Sequence, residues 1–257
     1  MTDEPLVLYE VKDHIALITL NRPEKMNALN QGMRKIFQNA LLDIKHNPDI
    51  WLGIITGRGR GFCSGKDLLE KIPPEEVDRS VLSTNERYML LRSINKPMIA
   101  AVNGACLAGG AGTALLSDIV IMSDQAYFGW PQVKRGISSV SGPSMLSRML
   151  PRGVAMSYLL RGKFITAEEA LALQIAHEVV PHDQLMEAAY RWANEILENA
   201  PLAMQAIKEA ERLTENSPLN VRMDVARELA NRVLRSEDSK EGIQAFKEKR
   251  APVWKGR

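Results

Sequence analysis

The stretch covering residues 96–142 constrains the fold more strongly than any other part of the chain. An apolar run at Met98–Val102 ends in an Asn-Gly pair, a glycine turn follows at residues 109–112, and a second apolar run covers residues 119–122. Where a strand leads through a glycine turn into a helix, backbone N–H groups point at one place and can hold a ligand oxygen. The stretch therefore predicts two strands, a helix between them and a binding site for a ligand oxygen at the turn.

Upstream of this stretch, patterns typical of strands alternate with patterns typical of helices. A hairpin is predicted over residues 6–11 and 15–20, a helix over residues 31–46, a strand over residues 51–56 and a helix over residues 75–93. The order strand, helix, strand, helix, strand favours parallel strands joined by crossover helices. We therefore predict an α/β fold.

Downstream of residue 142 the chain is mostly helical. Helices are predicted near residues 143–149, 154–161, 167–173, 184–199, 202–214, 219–234 and 240–249, with a short strand at residues 177–180. A change of pattern at Ala200-Pro201 divides the chain into an α/β core, residues 1–200, and a helical C-terminal region, residues 201–257. The apolar faces of the last helices exceed what their own domain can cover, which predicts a homo-oligomer.

The composition argues against several classes of function. The 257 residues carry a formal net charge of +2 with dispersed charges, and no dense Lys/Arg run suggests a nucleic-acid partner. No apolar run approaches the ~20 residues of a membrane span. Because the first ten residues lack the pattern of a secretion signal, we expect a cytoplasmic protein. Cys63 and Cys106 are expected to be buried thiols rather than a disulfide framework.

The side-chain pattern indicates neither a metal site nor a serine hydrolase. The histidines have no ligand spacing with a carboxylate or cysteine, so no metal is expected. The chain has no G-x-S-x-G elbow. The glycine loop at residues 57–67 also departs from a P-loop, since Arg60 and Asp67 stand where that motif requires glycine and Ser or Thr.

Two elements remain in which a strand runs into a glycine turn, one at residues 62–65 and one at residues 107–110. Each can supply one backbone N–H. Two such donors that converge on one oxygen form an oxyanion hole, in which each lowers a barrier by ~2.7–4 kcal/mol. The alternative is that these glycines only permit tight turns.

Six stretches, in order along nearly the whole chain, carry a resemblance to a known family. They are NRPEKMNALN, ITGRGRGFCSGKDL, KPMIAAVNGACLAGGAGTAL, SDIVIMSDQAYFGWPQVKRGI, LRGKFITAEEALALQIAHEVV and SEDSKEGIQAFKEKRAPVWKGR. The sequence resembles the crotonase superfamily, the enoyl-CoA hydratase/isomerase family, and its layout is most similar to the carnitinyl-CoA dehydratase and hydratase branch. The resemblance implies a spiral core of ββα units, a helical C-terminal trimerisation region, and assembly as a homotrimer or a hexamer.

The resemblance also implies roles for individual residues. The N–H groups of Ser64 and Gly109 would be the oxyanion donors for a thioester carbonyl. The implied contacts with acyl-CoA are Lys25, Met26, Ala28, Ser64, Gly65, Lys66, Asp67, Leu68, Gly112, Phe246 and Lys249. Phe246 and Lys249 would reach the nucleotide end of CoA from a neighbouring subunit. Coenzyme A would enter as part of the substrate, with no tightly bound cofactor.

Hydratases of this family hold and activate water with two glutamates, and this sequence lacks both. The equivalent positions are Gly112, three residues after the oxyanion glycine, and Gln132, after the proline of the Phe-Gly-x-Pro turn. Neither residue takes up a proton at neutral pH, and a positioned general base is worth roughly 10²–10⁴ in rate. Efficient two-glutamate hydration is therefore not expected. The missing side chain at Gly112 also suggests room for an acyl group bulkier than crotonyl.

Other branches of the family do not match cleanly either. The dehalogenase branch has an aspartate nucleophile in the loop after Gly136, where residues 137–141 contain no carboxylate. The decarboxylase branch carries histidine in place of Lys66 and tyrosine near Ser139. The candidates that could replace the two glutamates are Lys66 as a cation or acid, Gln132 as a group that orients water, Ser138, Ser139 or Ser141 as substrate-binding hydroxyls, and Asp67, Glu70, Glu75 or Glu86 as a carboxylate.

We therefore expect an enzyme that stabilises a thioester enolate in an oxyanion hole. It would act on a non-standard, bulky acyl-CoA in a hydro-lyase-like or hydrolase-like reaction. One alternative is a catalytically silent acyl-CoA-binding protein. The others are a C–C bond hydrolase or decarboxylase of the same family, and a structural subunit without affinity for CoA.

Overall fold

The computed structural model describes residues 4–257, which form ten β-strands and ten α-helices. The strands are β1 (Val7–Lys12), β2 (Ile15–Leu20), β3 (Leu52–Gly57), β4 (Gly61–Cys63), β5 (Met98–Val102), β6 (Ala105–Leu107), β7 (Ile119–Ser123), β8 (Tyr127–Gly129), β9 (Phe164–Thr166) and β10 (Glu178–Val180). The helices are α1 (Gln31–His46), α2 (Thr84–Arg92), α3 (Gly109–Leu115), α4 (Ser147–Met149), α5 (Arg152–Arg161), α6 (Ala167–Ala172), α7 (Leu185–Leu197), α8 (Pro201–Thr214), α9 (Leu219–Leu234) and α10 (Glu237–Glu248). Across this part of the chain, no helix combines the length and apolarity that a bilayer crossing requires.

Six strands form a large sheet in the order β1-β2-β3-β5-β7-β10. β1 and β2 are antiparallel, and a turn at Asp13 and His14, with φ angles of 49° and 65°, joins them. All other neighbours in this sheet are parallel. Ile55 of β3 lies in the apolar cluster with α1, whereas Ile54 lies in the cluster with α7, so helices cover both faces. The predicted hairpin, parallel strands and α/β class are confirmed.

The sequence patterns predict no second sheet, yet the structure has one, in the order β4-β6-β8-β9. β4, β6 and β8 follow directly after β3, β5 and β7, so each consecutive pair sends one strand to each sheet. Every strand of this small sheet has three residues, and β4, β6 and β8 run parallel. Runs of three residues are too short to show the alternation by which strands are recognised, which is why this sheet is missed.

The helix predicted over residues 75–93 is wrong in its first half. A 3₁₀ turn at Pro74–Glu76 is followed by non-helical chain, and α2 begins at Thr84. The Ser83 hydroxyl accepts the N–H of Glu86 at 3.3 Å, and the Glu86 carboxylate accepts the N–H of Ser83 at 2.8 Å. This reciprocal capping box sets the helix start.

The helices α8, α9 and α10 follow the two sheets in the chain, and the last residues of the chain bond to α10 and to the end of α7. The buried carboxylate of Asp238 accepts the N–H groups of Lys255 at 2.7 Å and Gly256 at 3.0 Å. Trp254 Nε1 donates to the carbonyl of Glu198 at 2.8 Å. Several large apolar side chains of this region remain exposed, among them Ile207, Leu213, Leu219, Met223, Leu234, Ile243, Phe246 and Val253.

Candidate active site

A cavity of about 440 Å³ lies where the two glycine turns meet. Its walls come from the turn after β4, the turn between β6 and α3, the helix α2 and the segment after β8. Lys66, Arg87, Tyr88, Gly109 and Gln132 each contribute to the lining. Two larger clefts have volumes of about 600 and 770 Å³. The first adjoins this cavity, since Tyr88 and Val140 line both, but neither cleft is lined by Lys66 or Gly109. The 440 Å³ cavity is therefore the one that the glycine turns serve.

The backbone N–H of Lys66 is an open donor at this cavity. Leu29 forms an isolated parallel bridge with Lys66: the Leu29 N–H donates to the Gly65 carbonyl at 2.7 Å, and the Asp67 N–H donates to the Leu29 carbonyl at 3.2 Å. In such a bridge the residues on either side of Lys66 make the bonds, so the N–H of Lys66 itself points away from Leu29. No backbone or side-chain acceptor among residues 4–257 takes it.

The backbone N–H of Gly109 is a second open donor. Gly109 is the first residue of α3, and the first N–H groups of a helix have no partner within it. A Cβ placed on Gly65, whose φ is +94°, would lie 2.9 Å from the Gly109 nitrogen, and a Cβ placed on Gly109 would lie 3.8 Å from the Lys66 nitrogen. The two amides therefore lie close together, and glycine at position 65 allows the approach. Two neighbouring open donors at a cavity wall are what an oxyanion hole requires.

The structure contradicts the prediction that the Ser64 N–H is one of these donors. That N–H donates to the carbonyl of Met26 at 3.0 Å. The Ser64 hydroxyl lies 3.4 Å from the carbonyl of Lys25, so the loop before α1 is folded against Ser64. Because the amide of Ser64 is already bonded, the open donor of this turn is the amide of Lys66, two residues later.

Gly112 does not leave the open space that its missing side chain suggests. A Cβ at this position would lie 2.4 Å from the Tyr88 hydroxyl oxygen and 2.6 Å from the Cβ of Ser141. Tyr88 Oη donates to the carbonyl of Gly109 at 3.1 Å, and Ser141 Oγ donates to the carbonyl of Ala108 at 2.9 Å. The prediction of room for a bulkier acyl group here is wrong, because Tyr88 and Ser141 fill the position.

The cavity offers a hydrogen-bond acceptor and a neutral phenol. The Oε1 atom of Gln132 is buried, and no donor among the described residues reaches it. An unpaired buried acceptor is unfavourable, and a water or a substrate O–H that donates to it would remove that cost. Burial raises the pKa of the Tyr88 phenol, so this hydroxyl stays protonated at neutral pH. Neither group is a strong base.

The carboxylates considered as replacements for the glutamates have other roles. Asp67 lines the cavity but pairs with Arg22 at 2.6 Å, and this bond holds the pKa of the carboxyl below its usual range. Glu70 accepts the first N–H of α1 at 2.7 Å, and Glu86 belongs to the capping box of α2. Glu75 lies exposed in a 3₁₀ turn, and none of these three glutamates lines the cavity.

Most of the expected CoA contacts are brought together. Three are not, since Tyr88 and Ser141 cover Gly112, and Phe246 and Lys249 lie at the C-terminal end of α10. Five of them line the same cavity, namely Ala28, Ser64, Lys66, Asp67 and Leu68. The carbonyl groups of Lys25 and Met26 lie against Ser64. Phe246, 86% exposed on α10, and Lys249 at the end of that helix do not line the cavity of their own chain. Their contact with CoA in a neighbouring subunit stays a prediction.

Sequence patterns do not single out Arg87 and Tyr88, the two cavity residues on α2. The helical spacing of the sequence could have identified Arg87. Arg87 stands four and seven residues before the buried Leu91 and Ile94, so it occupies the apolar face of a helix. An arginine on a buried helix face usually has a specific partner.

The histidines lie away from this cavity. His14 stacks on the ring of Trp51 with 3.7 Å between centroids, His177 accepts a backbone N–H of β7, and His182 contacts a serine hydroxyl of the same strand. Among residues 4–257, no group of three or more His, Cys, Asp or Glu side chains is arranged to hold a metal ion.

Known proteins resemble this chain over nearly its full length. The model of the family described as enoyl-CoA hydratase/isomerase matches residues 10–257. The (E)-benzylidenesuccinyl-CoA hydratase of Thauera aromatica is 36% identical over 253 residues, which cover 97% of this chain and 99% of the relative. The 2,3-dehydroadipyl-CoA hydratase of Escherichia coli K12 is 36% identical over 250 residues, covering 96% and 97%. The crystal structure of an enoyl-CoA hydratase/isomerase from Mycobacterium paratuberculosis matches with a TM-score of 0.89 at 37% identity, covering 98% and 99%.

Proposed function

The chain belongs to the enoyl-CoA hydratase/isomerase family, and we propose that it polarises the thioester carbonyl of an acyl-CoA between the backbone N–H groups of Lys66 and Gly109. The observation that carries this proposal is the pair of neighbouring open amides at the wall of the cavity. Two hydrogen bonds to the carbonyl oxygen stabilise the negative charge that gathers there when an enolate forms. Each such donor is worth about 2.7–4 kcal/mol of barrier.

The reaction we favour is the addition of water to, or its removal from, the acyl chain. In the hydration direction, the water oxygen bonds to Cβ of a 2-enoyl thioester and a proton from the water goes to Cα, so the enzyme ends in its starting protonation state. Gln132 Oε1 accepts a hydrogen bond from that water and orients it. Because no free carboxylate acts as base, we expect a rate lower by roughly 10²–10⁴ than that of a two-glutamate site.

A second candidate function is acyl-CoA binding without turnover. One observation favours it: Asp67, the only carboxylate among the cavity residues, pairs with Arg22. A carboxylate held in this pair cannot readily act as a base, because its pKa is lowered. Turnover measurements separate the two functions.

The test measures turnover of a panel of 2-enoyl- and 3-hydroxyacyl-CoA thioesters by the wild-type protein and by two variants, Gly109→Pro and Gly109→Ala. Proline is tolerated at the first position of a helix but has no N–H. Both variants add a Cβ that meets the Gly65 Cα at 3.3 Å, so they share this contact. Only proline adds a ring carbon against Ala108, whose φ is 52°, so circular dichroism must show that Gly109→Pro folds. We expect Gly109→Pro to lower kcat by about 10²–10³, the loss typical of one oxyanion donor. Gly109→Ala should keep most of the activity.

Equal losses in the two variants would show that the Gly109 amide is not a donor. If no thioester of the panel turns over but calorimetry detects acyl-CoA binding, the silent binding function replaces the enzymatic one. If there is neither turnover nor binding, both functions are excluded.

Lys66→Ala separates the backbone role of this residue from a role of its side chain. The substitution keeps the peptide N–H and removes an exposed ammonium group. We expect kcat to change by no more than the effect of an ordinary surface substitution, about 0.5 kcal/mol. A loss of two orders of magnitude would instead assign Lys66 as a catalytic cation or acid.

We also propose that the helical region 201–257 joins subunits into a trimer or a hexamer. Its exposed apolar side chains, with Leu219 72% and Phe246 86% exposed, support this assembly. Light scattering on the purified chain should give three or six times the mass of 28.7 kDa. A monomer at micromolar concentration would exclude the proposal.

A further inference from the structure

Arg87 is a buried cation in the wall of the cavity, and no carboxylate among residues 4–257 forms a salt bridge with it. The residue is 3% exposed and lines the cavity, next to Tyr88 on α2. Its Nε and Nη1 atoms are buried, and no acceptor among residues 4–257 takes a hydrogen bond from them. The exposed cations at the same cavity, Lys66 and Arg135, differ from Arg87 because water solvates them.

Three ionisable groups of the described chain interact with Arg87, namely Cys63, Tyr88 and Arg34, and none of them is an anion at pH 7. Burial raises the pKa of the Cys63 thiol to about 11 and also raises that of the Tyr88 phenol, so both neighbours are neutral at pH 7. The third neighbour, Arg34, is itself a cation. Its Nε atom is also buried, and no acceptor among residues 4–257 bonds to it. The cavity carboxylate, Asp67, is held by Arg22 at 2.6 Å.

This arrangement is costly unless an anion enters the cavity. A guanidinium stays protonated in proteins, even though burial lowers the pKa of Arg87. An unpaired buried charge is strongly unfavourable, whereas a charge that meets an anion with good hydrogen bonds is not. If Arg87 only served to fill space, its nitrogens would be expected to donate to nearby carbonyl groups, as buried polar groups usually do.

We propose that Arg87 binds a carboxylate at the far end of the acyl chain, so that the substrate is the CoA thioester of a dicarboxylic acid. The proposal rests on the function proposed above, since Lys66 and Gly109 hold the thioester end. The Arg87 Cζ lies 5.9 Å from the centroid of the Tyr88 ring, and Tyr88 Oη in turn bonds to Gly109 at 3.1 Å. Arg87 and Gly109 thus both lie close to one tyrosine. A planar guanidinium binds a carboxylate through two parallel hydrogen bonds.

The experiment compares matched saturated thioesters by isothermal titration calorimetry. The pairs are succinyl- and butyryl-CoA, glutaryl- and valeryl-CoA, and adipoyl- and hexanoyl-CoA, and each pair differs by a carboxylate in place of a methyl group. We expect the wild-type protein to bind the carboxylate member of at least one pair about 10- to 100-fold more tightly, the gain of a hydrogen-bonded charge. This comparison needs no variant and so does not depend on how well variants fold.

Variants then identify the residue that causes the tighter binding of the carboxylate member. Arg87→Met should abolish it while leaving the affinity for the methyl member unchanged, and Arg87→Lys should keep part of it because the charge remains without the planar fork. Arg135→Gln is the matched control, since it removes an exposed cation from the same cavity. This control should keep the full preference.

The possible results differ in what they exclude. If wild-type protein binds both members of every pair equally, the role of Arg87 is overturned while the acyl-CoA function stands. A preference that disappears in Arg135→Gln but survives in Arg87→Met would assign the carboxylate to the exposed cation and overturn the proposal as well. If none of the thioesters binds, the acyl-CoA function and the role of Arg87 both fail.

Discussion

The large and the small sheet contribute to the site in different ways. In the large sheet, strands β2, β3, β5 and β7 have five or six residues and lie between helices. The small sheet has strands of three residues, and β4 and β6 lead directly into the turns with the open amides of Lys66 and Gly109. The long strands supply most of the apolar core, whereas the short strands place individual backbone atoms.

This difference is visible in how tightly glycines are surrounded. A Cβ on Gly53 of the large sheet would meet the Met98 sulfur at 2.7 Å, and a methionine side chain can move aside. A Cβ on Gly110, behind the small sheet, would meet the Cys63 carbonyl oxygen at 2.2 Å, which belongs to the backbone. The backbone next to Gly110 therefore has less freedom to adjust than the side chains next to Gly53.

The largest expected effect comes from Gly110→Ala. The new methyl group would push β4 away from α3, since a backbone oxygen cannot rotate out of the way. We expect a loss of about 4 kcal/mol or more in the free energy of unfolding, together with loss of acyl-CoA binding. Gly53→Ala should cost about 1–3 kcal/mol, the range for an overpacked core. Urea unfolding followed by circular dichroism measures both values.

If Gly53→Ala were as damaging as Gly110→Ala, the contrast in local freedom between these two positions would be wrong. Gly32→Ala is a control for helix α1, since a Cβ there would meet only ordinary contacts, the nearest at 3.5 Å. That variant should fold as well as the wild type.

Asn103 provides a test of the junction between the sheets. Its Oδ1 accepts the Gly57 N–H at 3.2 Å, and its Nδ2 donates to the carbonyls of Gly59 at 2.7 Å and Gly61 at 3.2 Å. Asn103→Ala removes these bonds, but the Gly61 carbonyl keeps the Asn27 Nδ2 donor at 2.7 Å and Gly59 is exposed to water. We therefore expect a loss of about 1–2 kcal/mol and a reduced kcat. The matched change within the large sheet is Thr56→Val, which removes one hydrogen bond to the Ala101 carbonyl. It should cost about 1 kcal/mol.

A loss of stability in Asn103→Ala with unchanged kcat would mean that the junction stabilises the fold without positioning the amides. If Thr56→Val proved the more damaging change, the large sheet rather than the junction would be the sensitive region.

The long elements could be predicted from sequence because apolar spacing is a property of many residues at once. The helix α1, for example, follows from six buried residues at helical spacing after the cap Asn30. The small sheet could not be predicted, since three residues such as Gly61–Cys63 carry no period. Its strands form because β3, β5 and β7 bring them side by side.

The site was predictable in its type but not in its individual atoms. A glycine turn indicates that a backbone N–H lies near the site. Whether that N–H is free to bind a ligand depends on residues distant in sequence, since the Met26 carbonyl accepts the N–H of Ser64. A glycine likewise indicates a missing side chain but not an empty space. Tyr88, from a helix 24 positions earlier in the chain, covers Gly112.

Tyr88→Phe tests how far Tyr88, which covers Gly112, stabilises the turn between β6 and α3. The substitution removes the hydrogen bond to the Gly109 carbonyl and leaves the ring in place. We expect a loss of about 1 kcal/mol in stability and a small change in kcat, because the Gly109 N–H remains available. A fall in kcat of two orders of magnitude would instead show that the phenol transfers a proton in the reaction.

Alkaline pH tests the small sheet through the two thiols, which lie in β4 and β6. Burial raises the pKa of the Cys63 thiol from an ordinary value of 9.0 to about 11, and it also raises that of Cys106. The unfolded thiols ionise first as pH rises. Their burial therefore favours the folded state fully below pH 9.0, and for Cys63 this contribution is lost as pH increases from 9.0 to about 11. Since one pKa unit corresponds to about 1.4 kcal/mol, unfolding free energies measured across that interval should fall by an amount on the order of 2–3 kcal/mol.

The same thiols report whether the small sheet opens by itself. At pH 8 a disulfide reagent should label neither cysteine in the folded protein and both in the unfolded protein, because both are buried. Cys63 and Cys106 share one apolar cluster with Ile55 and Val102 of the large sheet. We therefore expect labelling and circular dichroism to change at the same urea concentration. Labelling at clearly lower urea would show that the small sheet opens as a separate unit, and the two sheets would then differ in stability as well as in role.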